Sequence, residues 1–239
     1  MIPIRARILA ARHADLLGRP LSSRRVSAGL FLPTVLWGGL ALLVGVLWWE
    51  SRGLDALDIV LIVLGALLFA ACHLAAIDAR LVVCERGLIL GRMVPVPFSP
   101  TYLIAGEEID PRTVCVVSSG QKAAAQMGLG PMFFQFFVVA GSPGVPAVMF
   151  RGPWGADVEL NRTPDRRRPN AKSLFLFSHR RASGIADEIL RLVGRCVGIP
   201  AGFEPVNGLR PIPVTGRRED AVRQIPGAWP DDSQRPPGR

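Results

Sequence analysis

Apolar positions along this chain fall into two long uninterrupted runs followed by many short ones. Residues 26–49 and 59–77 carry no charged side chain. At about 1.5 Å of rise per residue, the first run is ample for a hydrocarbon layer of about 30 Å and the second just suffices. Helices buried in a globular core are seldom apolar on every side for so long. The pattern predicts two transmembrane helices in a hairpin, joined by a polar break at Glu50–Asp58. Trp48 and Trp49 close the first run, where an interfacial aromatic belt belongs. Ala41 and Gly45 fall four apart, as do Ala66 and Ala70. That spacing lets helix backbones approach closely, and the simplest use of it is packing of the hairpin on itself.

After Asp78 the period changes. Leu81–Cys84 and Leu88–Gly91 are short apolar runs around the turn Glu85-Arg86-Gly87. Val94–Phe98 is extended, because each proline disfavours helix at the residue before it. Tyr102–Ile104, Val114–Val117, Met132–Ala140, Ala147–Phe150, Val158–Leu160 and Leu174–Phe177 read as further strands. Glu107–Pro111 reads as a turn, and 118–131 as a loop with one helical turn at Ala123–Met127. Residues 182–197 have the 3.6-residue period of an amphipathic helix. Its apolar stripe is Ile185, Ile189, Leu192, Val193 and Cys196, with Gly198 and Pro200 as the stop.

The organisation that follows has four parts. Residues 1–25 are a basic cytoplasmic leader and 26–77 the transmembrane hairpin (26–49, 59–77). Residues 78–203 form a cytoplasmic, mainly-β (α+β) domain, a barrel or sandwich capped by a C-terminal helix. Residues 204–239, rich in Pro, Gly and charge, are a disordered tail. In the leader, Ile4, Ile8 and Ala11 lie at helical spacing between arginines, as in a short interfacial helix; a solvated basic segment fits equally well. The first run is too long for a signal-peptide core, and no A-x-A cleavage pattern follows it.

Charge sets the orientation. Arg5, Arg7, Arg12, Arg19, Arg24 and Arg25 precede the first run against one Asp15, whereas the break holds Glu50, Asp55 and Asp58 against Arg52. The positive-inside rule then predicts a two-pass protein of the plasma (inner) membrane with both termini cytoplasmic. The net charge of +9 is compatible with anionic lipid, with topology determinants or with nucleic acid. Nucleic acid is disfavoured, because no interleaved aromatics and no helix-turn-helix or RNA-recognition pattern accompany the charge. Only Lys122 and Lys172 are lysines. That bias toward arginine, with abundant Ala, Gly and Pro, points to a GC-rich bacterial genome.

The chain resembles the bacterial pleckstrin-homology-like (PH-like) membrane proteins. The resemblance is carried by Leu81-Val82-Val83-Cys84-Glu85-Arg86-Gly87-Leu88-Ile89-Leu90, which looks like the opening hairpin. Pro95–Phe98 with Ile109 is similar to the next strand pair, and Ser183–Val197 to the capping helix. It covers about residues 80–200, and the loops 118–131 and 152–170 depart from a compact PH-like domain. It implies a domain that recruits rather than catalyses.

No reaction chemistry is visible. The four cysteines form no CxxC pair, and no HExxH motif, nucleophile elbow or phosphate loop occurs. No catalytic, cofactor or metal residue is therefore expected. His73, inside the second run, reads as a neutral interfacial histidine, and Glu107, Glu108 and Asp110 as a solvated turn. The strongest binding candidate is the arginine-rich segment Arg162, Arg166, Arg167, Arg168, Lys172, Arg180 and Arg181, where Asp165 is the one acid. Guanidinium forks suit phosphate, so this segment is the expected contact for anionic lipid headgroups or a protein partner. The expected function is that of a non-enzymatic membrane docking module. The alternatives are an accessory or assembly subunit of a larger membrane complex, and a membrane-associated enzyme.

Overall fold

The computed structural model describes residues 1–27, 31–51, 56–93, 101–127, 144–152, 157–158, 174–199 and 201–227. Two antiparallel sheets carry the fold. The first runs β1 (Pro20–Arg25), β2 (Ala79–Cys84), β3 (Gly87–Arg92), β4 (Thr101–Ala105) and β7 (Asp157–Val158), in the order β1-β2-β3-β4-β7. The second is β5 (Asp110–Val117), β6 (Ala147–Arg151) and β8 (Leu174–Ser178), in that order.

Strand alternation sends successive side chains of the first sheet to opposite faces. Leu81, Val83, Leu88, Leu90, Tyr102 and Ile104 point into the main core between the sheets. Val82, Cys84, Ile89 and Leu103 point the other way and are covered by Ala6, Leu9, Ala10 and Leu17. These last four belong to α1 (Ile4–Arg12) and α2 (Ala14–Leu17). A sheet covered on both faces wants apolar residues at every position, which is why Leu81–Cys84 shows no polar alternation.

The chain's first 25 residues are thus built into the domain rather than leading up to it. The turn between α2 and β1 rests on Gly18, at φ +67°. The Glu85 and Arg86 backbone N–H groups donate to the carbonyls of Arg19 and Leu17, holding that turn against the β2–β3 turn.

The second sheet is closed by α6 (Ala182–Cys196), whose Ile185, Ile189, Leu192 and Val193 are buried in the main core. Between β5 and β6 lies α5 (Gly120–Gln126). Its N-cap Ser119 accepts from the Lys122 N–H through the side-chain oxygen. Segment 205–227 is a strap across the free edge of β5. The Ile212 N–H donates to the Val116 carbonyl and the Ser118 N–H donates to the Ile212 carbonyl. Val214, Ala221 and Ile225 are buried beyond it, Ala221 opening the short helix α7 (Ala221–Gln224) and Ile225 following it. This part of the expected tail is ordered by its own apolar residues.

The apolar runs fold as α3 (Phe31–Ser51) and α4 (Ala56–Ile77). They pack on each other where Leu40, 8% exposed, meets Gly65. Their interpretation as a two-span membrane hairpin in a two-pass plasma-membrane protein is corrected by the structure. The first run does not continue as one helix from residue 26. The Val26 N–H donates to the Ala79 carbonyl and the Ser27 N–H to the Ser178 carbonyl, so the run's beginning belongs to the β-structure. The helix starts only at Phe31, and α4 takes in Asp58 near its start. Among the described residues no helix is long and apolar enough to cross a membrane. The fold class is α+β with two antiparallel sheets.

A side chain added at Gly38, Gly39 or Gly45 would meet nothing, so that side of α3 faces away from α4. The expected strand at 132–140 and the extended segment 94–98 lie outside the described residues.

Candidate arginine site at the root of the helix pair

The chain leaves the first sheet for α3 at the end of β1 and returns from α4 at the start of β2. That junction gathers arginines. Arg25 is the register partner of Arg80, and Arg24 that of Leu81. The turn that follows β8 is tied to the same place: the Arg180 N–H donates to the Ser27 Oγ at 3.1 Å. His179 and Arg181 complete that turn, the Arg181 N–H donating to the His179 Nδ1 at 2.9 Å.

These cations are not equally neutralised. Arg24 points to the core side of β1 and meets Glu188 of α6 at 2.6 Å, while Ser22, two residues earlier on the same side, donates to the other Glu188 oxygen at 3.0 Å. Glu188 therefore fastens the edge strand to the capping helix. Arg25, Arg180 and Arg181 are exposed, and their guanidinium groups have no acidic partner among the described residues. Arg80 is mostly buried, its side chain 12% exposed, and its Nε lies 3.8 Å from an Asp78 oxygen. That Nε is buried without a hydrogen bond. The other Asp78 oxygen accepts from the Met93 N–H at 2.9 Å.

The electrostatics follow from this packing. Burial, and then the Arg25 charge, push the Arg80 guanidinium below its ordinary value, against the opposing pull of Asp78. Burial followed by Arg24 and Arg181 holds the His179 imidazole below its usual range, with Glu188 acting the other way. Positive charge thus crowds this end of the molecule, and like charges directly opposite across two strands are destabilising unless an anion joins them.

Of the sequence-derived contacts, Arg180 and Arg181 belong to this patch. Arg162, Arg166, Arg167, Arg168 and Lys172 lie outside the described residues. Arg24, Arg25 and Arg80 are brought in by strand register, which the linear sequence does not display. Their one local signal is a charge within three residues of an apolar run. Among the described residues no group of His, Cys, Asp and Glu could hold a metal ion. The Asp110 carboxylate of the acidic turn accepts from the Arg112 N–H at 3.0 Å. Comparisons of the chain with family models, curated proteins and solved structures give no match.

Proposed function

We propose that this protein is a docking module rather than an enzyme, and that it engages an anionic lipid surface. The observation that carries this reading is the adjacency of two unusual surfaces. Arginines without an acidic partner among the described residues lie at the root of α3 and α4, and the helices themselves present Trp37, Leu42, Trp48, Trp49, Leu57 and Leu67 to the outside, each at least 45% exposed. A contiguous apolar surface of this kind marks an interaction site. Apolar contact combined with basic charge is the chemistry that recognises anionic lipid. The PH-like scaffold suggested by the sequence is part of the proposal. It is supported by the β2–β3–β4 meander, the second sheet and the closing helix α6.

The test is co-sedimentation of the full chain with vesicles of phosphatidylcholine alone and with added phosphatidylglycerol. Binding is expected to need the anionic lipid and to weaken as salt rises. With roughly 1 kcal/mol per basic residue near such a surface, neutralising Arg180 and Arg181 together as glutamines should weaken it about thirtyfold. Binding that ignores both lipid charge and these arginines would leave a protein partner as the better account of the apolar surface.

A further inference from the structure

Arg25 and Arg80 form an arrangement that general attraction to anions does not require. They sit directly opposite each other on β1 and β2, so their side chains leave the same face of the sheet from Cβ atoms about 5 Å apart. That face is the outer one, since Val82 and Cys84, at the same parity as Arg80, pack under α1 and α2. Arg25 is exposed and its guanidinium has no acidic partner among the described residues, whereas Arg80 is held in place by burial. Asp78 cancels part of this charge from 3.8 Å, and its second oxygen accepts from the Met93 N–H.

Two guanidinium groups offer two planar forks of donors. A carboxylate has two acceptor oxygens and one charge, and a phosphodiester two free oxygens and one charge. A phosphomonoester has three free oxygens and a charge approaching two. It alone can be gripped bidentately by both forks while offsetting both cations. Resting on the lipid-docking reading above, we propose that Arg25 and Arg80 form a two-armed clamp for the phosphomonoester headgroup of a phosphatidic-acid-type lipid. Arg80 is the buried inner arm and Arg25 the exposed outer one.

The experiment measures full-chain binding to phosphatidylcholine vesicles doped with phosphatidic acid or with phosphatidylglycerol at matched surface charge. About tenfold tighter binding to phosphatidic acid is expected. Arg25→Gln should erase that preference while weakening phosphatidylglycerol binding by no more than the about fivefold expected for one basic residue at the surface. Arg80→Lys keeps the buried charge but removes the fork. It should have the same selective effect, and its thermal unfolding curve reports whether it has folded. Equal affinity for the two lipids, with binding to both intact, overturns the clamp and leaves the docking reading standing. Failure to bind either lipid overturns the docking reading itself. Inorganic phosphate is expected not to compete. If it abolishes the preference, the clamp takes the free ion and the lipid assignment is wrong.

Discussion

Phe175 stacks on Phe150 with ring centroids 5.4 Å apart and receives the edge of Tyr102 at 5.7 Å. These three rings bridge the two sheets. Phe175→Ala is expected to cost about 3–5 kcal/mol, read as a lowered urea midpoint. Gly87 opens β3 where neighbouring atoms leave no room for a side chain. A Cβ there would lie 2.5 Å from the Ile104 carbonyl oxygen and 2.9 Å from Leu17. Gly87→Ala should destabilise by about 1–3 kcal/mol and loosen α2 from the sheet. Burial pushes the thiols of Cys84 and Cys115 up to about 12. Both should resist iodoacetamide in the folded chain and react once it is unfolded, whereas half-buried Cys196 should be modified first. For His179 the folded value lies below the ordinary 6.5, so protonation favours the unfolded chain. The contribution is whole above pH 6.5 and is lost as pH falls from there through the folded value. His179→Gln should flatten that part of the stability–pH curve.

At the scale of elements, what the sequence discloses depends on how many faces an element buries. The stripe Ile185, Ile189, Leu192 and Val193 is legible because α6 buries one side only, and the same residues line the core. Residues 4–17 carry a weaker version of that pattern. On α1 the buried positions are Ala6, Leu9 and Ala10, while Ile4 and Ile8 remain 76% and 51% exposed, so the conspicuous isoleucines point away from the sheet. Small alanines make close contact possible but give no hydrophobic signal by which to find it. The strap was hidden for another reason. Pro, Gly and charge dominate its composition, and the apolar residues it buries, Val214, Ala221 and Ile225, are widely spaced. Its path includes Leu209 at φ +58°, an uncommon conformation for a residue with a branched side chain. Ending the chain at residue 204 should therefore expose core surface, seen as a lower melting temperature and increased binding of an apolar dye. The site was half legible. Arg180 and Arg181 stand out as charge in sequence, but the pairing of Arg25 with Arg80 is a matter of register between strands separated by two helices.

For the whole molecule, exposed apolar helices joined to a basic domain predict self-association in plain buffer. Light scattering should show large particles that resolve when a mild detergent covers α3 and α4. The length of the apolar runs is a misleading guide, because Val26 and Ser27 are claimed by the β-structure before α3 begins.

That claim has a topological consequence. β1 and β2 are antiparallel neighbours with Arg25 opposite Arg80 and the Val26 N–H bonded to the Ala79 carbonyl, a geometry that a two-residue turn could close. The helix pair is thus a parenthesis set within an ordinary β-hairpin. A chain in which Asn-Gly replaces residues 28–77 should keep both sheets and the strap. Evolution could lengthen, exchange or delete what stands between the brackets without rewriting the domain that holds them.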